Sequence, residues 1–153
     1  MSTTMQRELE INQAIDARLN DILERIIKLI DDSAIVESEL EVSQIQNLVG
    51  IAHETGSVEV VKNFIRYQIG RDKHGTSWRT KIDNNSTFGS SVINQIDGLR
   101  DDVASLVAGE SDYTDVDVDR IWMKMTRLYM GNLYRYFYYR KRSKTQGDDD
   151  ENQ

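Results

Sequence analysis

The sequence predicts an all-α protein, a single bundle of roughly five helices, on three observations. Apolar residues recur at three- and four-residue steps along most of the chain. None of the 153 residues is Pro, so the strongest helix breaker is missing. No alternation of apolar and polar residues runs long enough to make a strand. A chain of this length buries a substantial core. The expected organisation is one helical-bundle domain over 1–145 and a disordered acidic tail over 146–153, SKTQGDDDENQ being its approach and end.

The first predicted helix spans 5–30. Met5, Leu9, Ile15, Leu19, Ile22, Ile26 and Leu29 make its apolar stripe, and Ile11, Leu23, Ile27 and Ile30 widen it enough to serve two neighbours. Asp31-Asp32-Ser33 is a turn cluster that closes it. A second helix over 41–54 turns Val42, Ile45, Leu48, Val49 and Ala52 inward, and Gly56 follows as a stop. Ser57 is placed to cap a third helix, 58–70, with Val58, Val61, Phe64, Ile65 and Ile69 inward. The short link between these two makes them an antiparallel hairpin. Residues 71–87, RDKHGTSWRTKIDNNST, lack periodicity and read as a polar, mobile loop. A fourth helix, 88–108, follows the spacing of Phe88, Val92, Ile96, Leu99, Val103 and Leu106. After the acidic connection 109–115, a last helix over about 118–142 is capped by Asp117 or Asp119. It buries Ile121, Trp122, Met125, Leu128, Tyr129, Leu133 and Tyr136.

Composition excludes several classes. Without Cys there is no disulfide framework, thiolate zinc site or cysteine nucleophile, and two His are too few for an all-His metal site. No apolar run is long enough for a membrane span, and the N-terminus has no signal-like apolar core. The expected location is therefore the cytoplasm, with no membrane partner. Neither a metal nor another cofactor is expected.

The net charge of −7 is unevenly distributed. Residues 46–82 carry six Lys/Arg against three acids, and residues 120–145 carry eight against none. The segments 1–45 and 83–119 are acidic, with ten acids against four bases and nine against one. A polymer at a binding face responds to local potential, because screening removes charges beyond about 8–10 Å.

Two groups of basic and aromatic residues stand out. On the last helix Arg120, Lys124, Arg127, Tyr134, Arg135, Tyr138 and Arg142 follow each other at helical steps, with Gly131 between. Guanidinium groups bind phosphate bidentately, and tyrosine faces can stack on unpaired bases. At the end of the third helix Lys62 and Arg66 precede Arg71, Lys73, His74, Trp78, Arg79 and Lys81, a pattern suited to phosphate contacts with a stacking Trp. In the alternative reading, the basic face pairs with the chain's own acidic segments, the tyrosines are core or subunit interface, and Trp78 folds back onto the core.

Enzyme signatures fail. Gly70-Arg71-Asp72-Lys73-His74-Gly75-Thr76-Ser77 imitates a phosphate-binding loop without the Lys before Thr and without a preceding strand. Asp115, Asp117 and Asp119 alternate like the start of an EF-hand, but Arg120 and Thr126 stand where Gly and Glu are needed. His53-Glu54 has neither a nucleophile nor a metal partner near it. The expectation is a protein that is not an enzyme.

Val42-Ser43-Gln44-Ile45-Gln46-Asn47-Leu48, Asn63-Phe64-Ile65-Arg66-Tyr67-Gln68-Ile69-Gly70-Arg71, Arg127-Leu128-Tyr129 and Tyr134-Arg135-Tyr136-Phe137 together resemble the small helical subunit of type III CRISPR effector complexes, the Csm/Cmr-type small subunit. The likeness covers about 40–72 and 118–142. It implies a non-catalytic RNA-binding subunit of an antiviral ribonucleoprotein complex, present in several copies beside the larger effector subunits. It further implies that Arg66, Arg71, Arg127 and Arg135 touch the backbone of guide RNA, target RNA or single-stranded DNA. Acidic and basic faces of successive copies would meet head to tail. The competing expectation is a helical protein–protein adaptor or assembly factor that binds no nucleic acid.

Overall fold

A computed structural model describes residues 4–110 and 112–151, with side chains through Lys144. The described residues form five helices: α1 (Thr4–Asp31), α2 (Val42–Glu54), α3 (Val58–Arg71), α4 (Phe88–Leu106) and α5 (Asp115–Glu151). They contain no strand, only an isolated antiparallel bridge between Lys81 and Thr87. No helix among them is long and apolar enough to cross a membrane.

Side-chain pairs along α5 fix the directions. Arg120 and Lys124 meet Glu8 and Asn12 at the start of α1, whereas Tyr136 and Arg140 meet Asp31 at its end, so α1 and α5 run parallel. Arg127 reaches Ala52 and Thr55 while Lys141 reaches Ser38, so α2 runs antiparallel to α5. Lys62 on α3 pairs with Asp97 on α4, and Ile69 lies against Gly89, which makes those two antiparallel as well. The helices alternate up and down, and α5 packs against α1, α2 and α4, with a lighter contact to α3. One core joins all five.

The predicted elements hold, with corrections of detail. The helix caps are local: Ser57 Oγ accepts the Val60 N–H, and Thr87 and Ser90 cap each other's backbone at the start of α4. α5 starts three residues before the expected 118, because Thr114 Oγ1 accepts the Asp117 N–H while the Asp117 carboxylate accepts the Thr114 N–H, a capping box one turn earlier. The backbone of α5 continues to Glu151. The side chains beyond Lys144 and residues 152–153, on which the expectation of a disordered acidic tail falls, lie outside the described residues. On α1, Ile11 is buried as expected but Met5 and Leu9 are exposed, since Ile11, Ile15, Ile22 and Ile26 form the row that faces the bundle. Towards the end of α5 the buried aromatic is Phe137, not Tyr136, whose hydroxyl donates to Asp31. The link 32–41 also enters the core through Ile35, Val36 and Leu40.

The expected mobile loop 71–87 is tied down at several points. The Asp72 carboxylate accepts the backbone N–H groups of Gly75, Thr76, Ser77 and Arg79. Thr80 and Trp78 carbonyls accept from Phe88 and Gly89. Gly89 is required there: a Cβ would lie 2.5 Å from Ile69 Cγ1 and 3.1 Å from the Trp78 carbonyl oxygen.

Candidate nucleic-acid interface

Helix α2 presents Gln46, Val49 and His53 on one flank, at steps of three and four residues. The antiparallel α5 presents Lys124, Arg127, Leu128, Gly131, Tyr134 and Arg135 opposite them. Between the helices lies an open groove of about 470 Å³. Val49, Leu128 and Gly131 supply apolar surface, three Lys/Arg and His53 supply donors, and no carboxylate belongs to the lining.

The cations differ in freedom. Arg127 donates from Nε to the Ala52 carbonyl and from Nη2 to the Thr55 carbonyl, both at 2.9 Å. It thereby satisfies orphan acceptors at the C-terminus of α2, where the helix dipole also favours a cation. Replacing Arg127 by Met should lower stability by about 1–2 kcal/mol in urea unfolding, because a neutral side chain leaves both carbonyls without that donor. Lys124 donates to Asn12 of α1. Arg135 is exposed and, like His53, has no hydrogen bond or ion pair among the described residues. Tyr134 is half-buried, its ring tilted against that of Tyr138 at 6.1 Å. Arg142 stacks over Tyr138 and donates to its hydroxyl from Nε.

Other residues expected to bind are committed elsewhere. Arg120 forms an ion pair with Glu8 at 2.8 Å. Lys62 is buried between Asp97 and Glu59, at 2.6 and 3.3 Å; desolvation pushes its ammonium down, but the two carboxylates outweigh that and hold it above its ordinary value. Trp78, expected as a stacking residue, is 1% exposed and packs on Phe88 with ring centroids 6.1 Å apart. That is a correction: a ring closed off on this scale offers no face to a base, and burial of its large apolar surface is the reason. In these three places the chain uses its own basic and aromatic residues for itself.

Arg66, Arg71, Lys73, Arg79 and Lys81 are exposed, and Arg71 and Lys73 share a second surface at the end of α3 with His74, Gln68 and the carboxylates Glu39 and Asp72. Arg66, two positions from Gln68, lies about 200° around α3 from it. Arg71 lies over the Tyr67 ring, and Arg79 donates to the Asp72 carbonyl. The backbone N–H groups of this loop, which in a phosphate-binding loop would face an anion, face Asp72 instead. Burial pushes that carboxyl up, and the N–H groups of Arg79, Ser77, Thr76 and Gly75 together bring it below the ordinary carboxylate range. Gln44 lines this surface and Gln46 lines the groove. Two residues along a helix are about 200° apart, so the two basic surfaces lie on opposite flanks of α2. They do not merge into one track.

Sequence reasoning missed Gln46 and His53 as partners of the α5 stripe. Their spacing is legible, but which helix would lie across them is not. Among the described residues no group of three or more His, Asp or Glu is placed to hold a metal ion. Asp117 of the EF-hand-like run caps α5, and Asp119 pairs with Arg100 at 3.6 Å. No family model, curated protein or solved structure matches this chain.

Proposed function

We propose that this chain is a non-catalytic RNA-binding subunit that holds nucleic-acid backbone along the groove between α2 and α5. The observation that carries the reading is the lining of that groove: Lys124, Arg127, Arg135 and His53 converge on it with no carboxylate among them. Such a site attracts an anionic polymer by local potential although the whole chain is acidic. The exposed Arg71 and Lys73 would offer separate phosphate contacts on the other flank of α2. The resemblance to type III CRISPR small subunits supplies the setting: guide or target RNA as ligand, larger effector subunits and further copies of this chain as neighbours.

The test is Arg135→Glu, because Arg135 is the groove arginine with no hydrogen bond or ion pair among the described residues. Affinity for a short single-stranded RNA at low salt should fall at least tenfold, with helicity and unfolding midpoint unchanged. The slope of log K against log salt should become shallower by about 0.7 for each phosphate that the variant no longer neutralises. Unchanged affinity would remove the groove from RNA binding and put the adaptor reading first, with Tyr138 and Tyr139, both exposed, as its contact surface.

A further inference from the structure

Resting on the RNA-binding reading, we propose that the α2–α5 groove admits an unpaired base, so that the chain selects single strands over duplex. Backbone recognition alone needs cations on a surface. This groove has more: an apolar bed of Val49 and Leu128, an aromatic edge at Tyr134, and Gly131, where α5 has no side chain of its own and only the flexible Arg135 head covers the backbone. Gly is the poorest helix former after Pro. Gly131 has no steric need to be Gly, since an added Cβ would meet only the flexible end of Arg135, at 3.4 Å from Nη1. The Arg135 guanidinium lies over this bare stretch of backbone, so swinging it out to a phosphate opens the groove between Leu128 and Tyr134.

The chemistry that fits is amphipathic in a particular way, a flat apolar ring joined to an anion. A base lying over Gly131, in the place the Arg135 guanidinium leaves when it turns to a phosphate, would rest its faces on Leu128 and the Tyr134 ring. The 5′ or 3′ phosphate would meet Arg135 and the Arg127 edge of the groove. Gln46 and His53 stand on the α2 side with donors and an acceptor for a base edge. Paired bases keep their faces stacked within the helix, so a duplex offers this groove phosphates only.

Wild-type protein is titrated with three fluorescent RNAs of about 12 nucleotides: a single strand, an abasic strand of equal charge, and a duplex. The single strand should bind roughly tenfold more tightly than the abasic strand, as one base stack warrants. Gly131→Leu fills the opening and should bring the single strand down to the abasic level, with duplex affinity changing less than about twofold. Tyr134→Leu checks the same point should Gly131→Leu lose its circular-dichroism signal. Equal binding of abasic and normal strands, with Arg135→Glu still weakening both, overturns base insertion and leaves backbone binding standing. No binding of any RNA overturns both readings.

Discussion

Trp78→Ala should be among the most damaging single substitutions in this chain, lowering stability by about 3–5 kcal/mol. Trp78 is one of the largest fully buried side chains, and it comes from a segment with no helix of its own to hold it. Its ring packs on Phe88, the first residue of α4, and its carbonyl accepts the Gly89 N–H at 2.9 Å. Removing the ring opens a cavity and loosens the junction of loop and α4. Trp78→Phe should cost far less, about 1 kcal/mol, because it keeps an aromatic body and gives up an indole N–H that finds no partner among the described residues. Urea unfolding of both variants checks the pair. An RNA titration of Trp78→Phe should match the wild type, and a loss of RNA affinity with stability intact would contradict the core role.

Asp72 should be the second sensitive position, with Asp72→Ala costing about 3 kcal/mol. Four backbone N–H groups of the loop share its carboxylate, and without it they have no other acceptor in place. The charge matters as well as the shape, which pH separates. The carboxyl lies below the ordinary 3.8 in the folded chain, so its ionised form is favoured by folding. Its contribution is complete above the unfolded value and is lost as pH falls through the lower folded one. The stability advantage of wild type over Asp72→Asn should accordingly be full at neutral pH and shrink below about pH 3.8. An advantage that stays constant into acid would mean that the loop is held by shape alone.

Much of the fold was legible because helix formation is a local matter. The seven- and four-residue steps of Ile15, Ile22 and Ile26, or the four-residue steps of Ile121, Met125 and Tyr129, name the buried face without reference to any neighbour. Ser57 as a cap is local in the same sense. Errors arose where two local patterns competed. Leu9 and Ile11 both extend an apolar row on α1, and packing against the rest of the bundle chose Ile11. Tyr136 and Phe137 both continue the stripe of α5, and Phe137 went inside because Tyr136 can direct its hydroxyl to Asp31 at the surface.

The candidate site was only half legible. The cations of α5 are visible as a stripe, yet the same stripe holds Arg120, bound to Glu8 of α1, and Arg135, which has no ion-pair partner among the described residues. Spacing along one helix cannot separate them, because the Glu8 that distinguishes Arg120 sits more than a hundred residues away in the chain.

The sequence by itself determined the helical class, the number of helices, most of their inward faces and the existence of basic segments in an acidic chain. Those properties follow from periodicity, caps and composition, which act between residues a few positions apart. Tertiary structure alone decided which charges are consumed. Packing brought Glu8 to Arg120, Asp97 to Lys62 and the end of α2 to Arg127, took Trp78 into the core, and left Arg135 and His53 facing an open groove. The physical reason is that an ion pair or a buried ring depends on distance in space, and the chain's order along the sequence does not contain that distance.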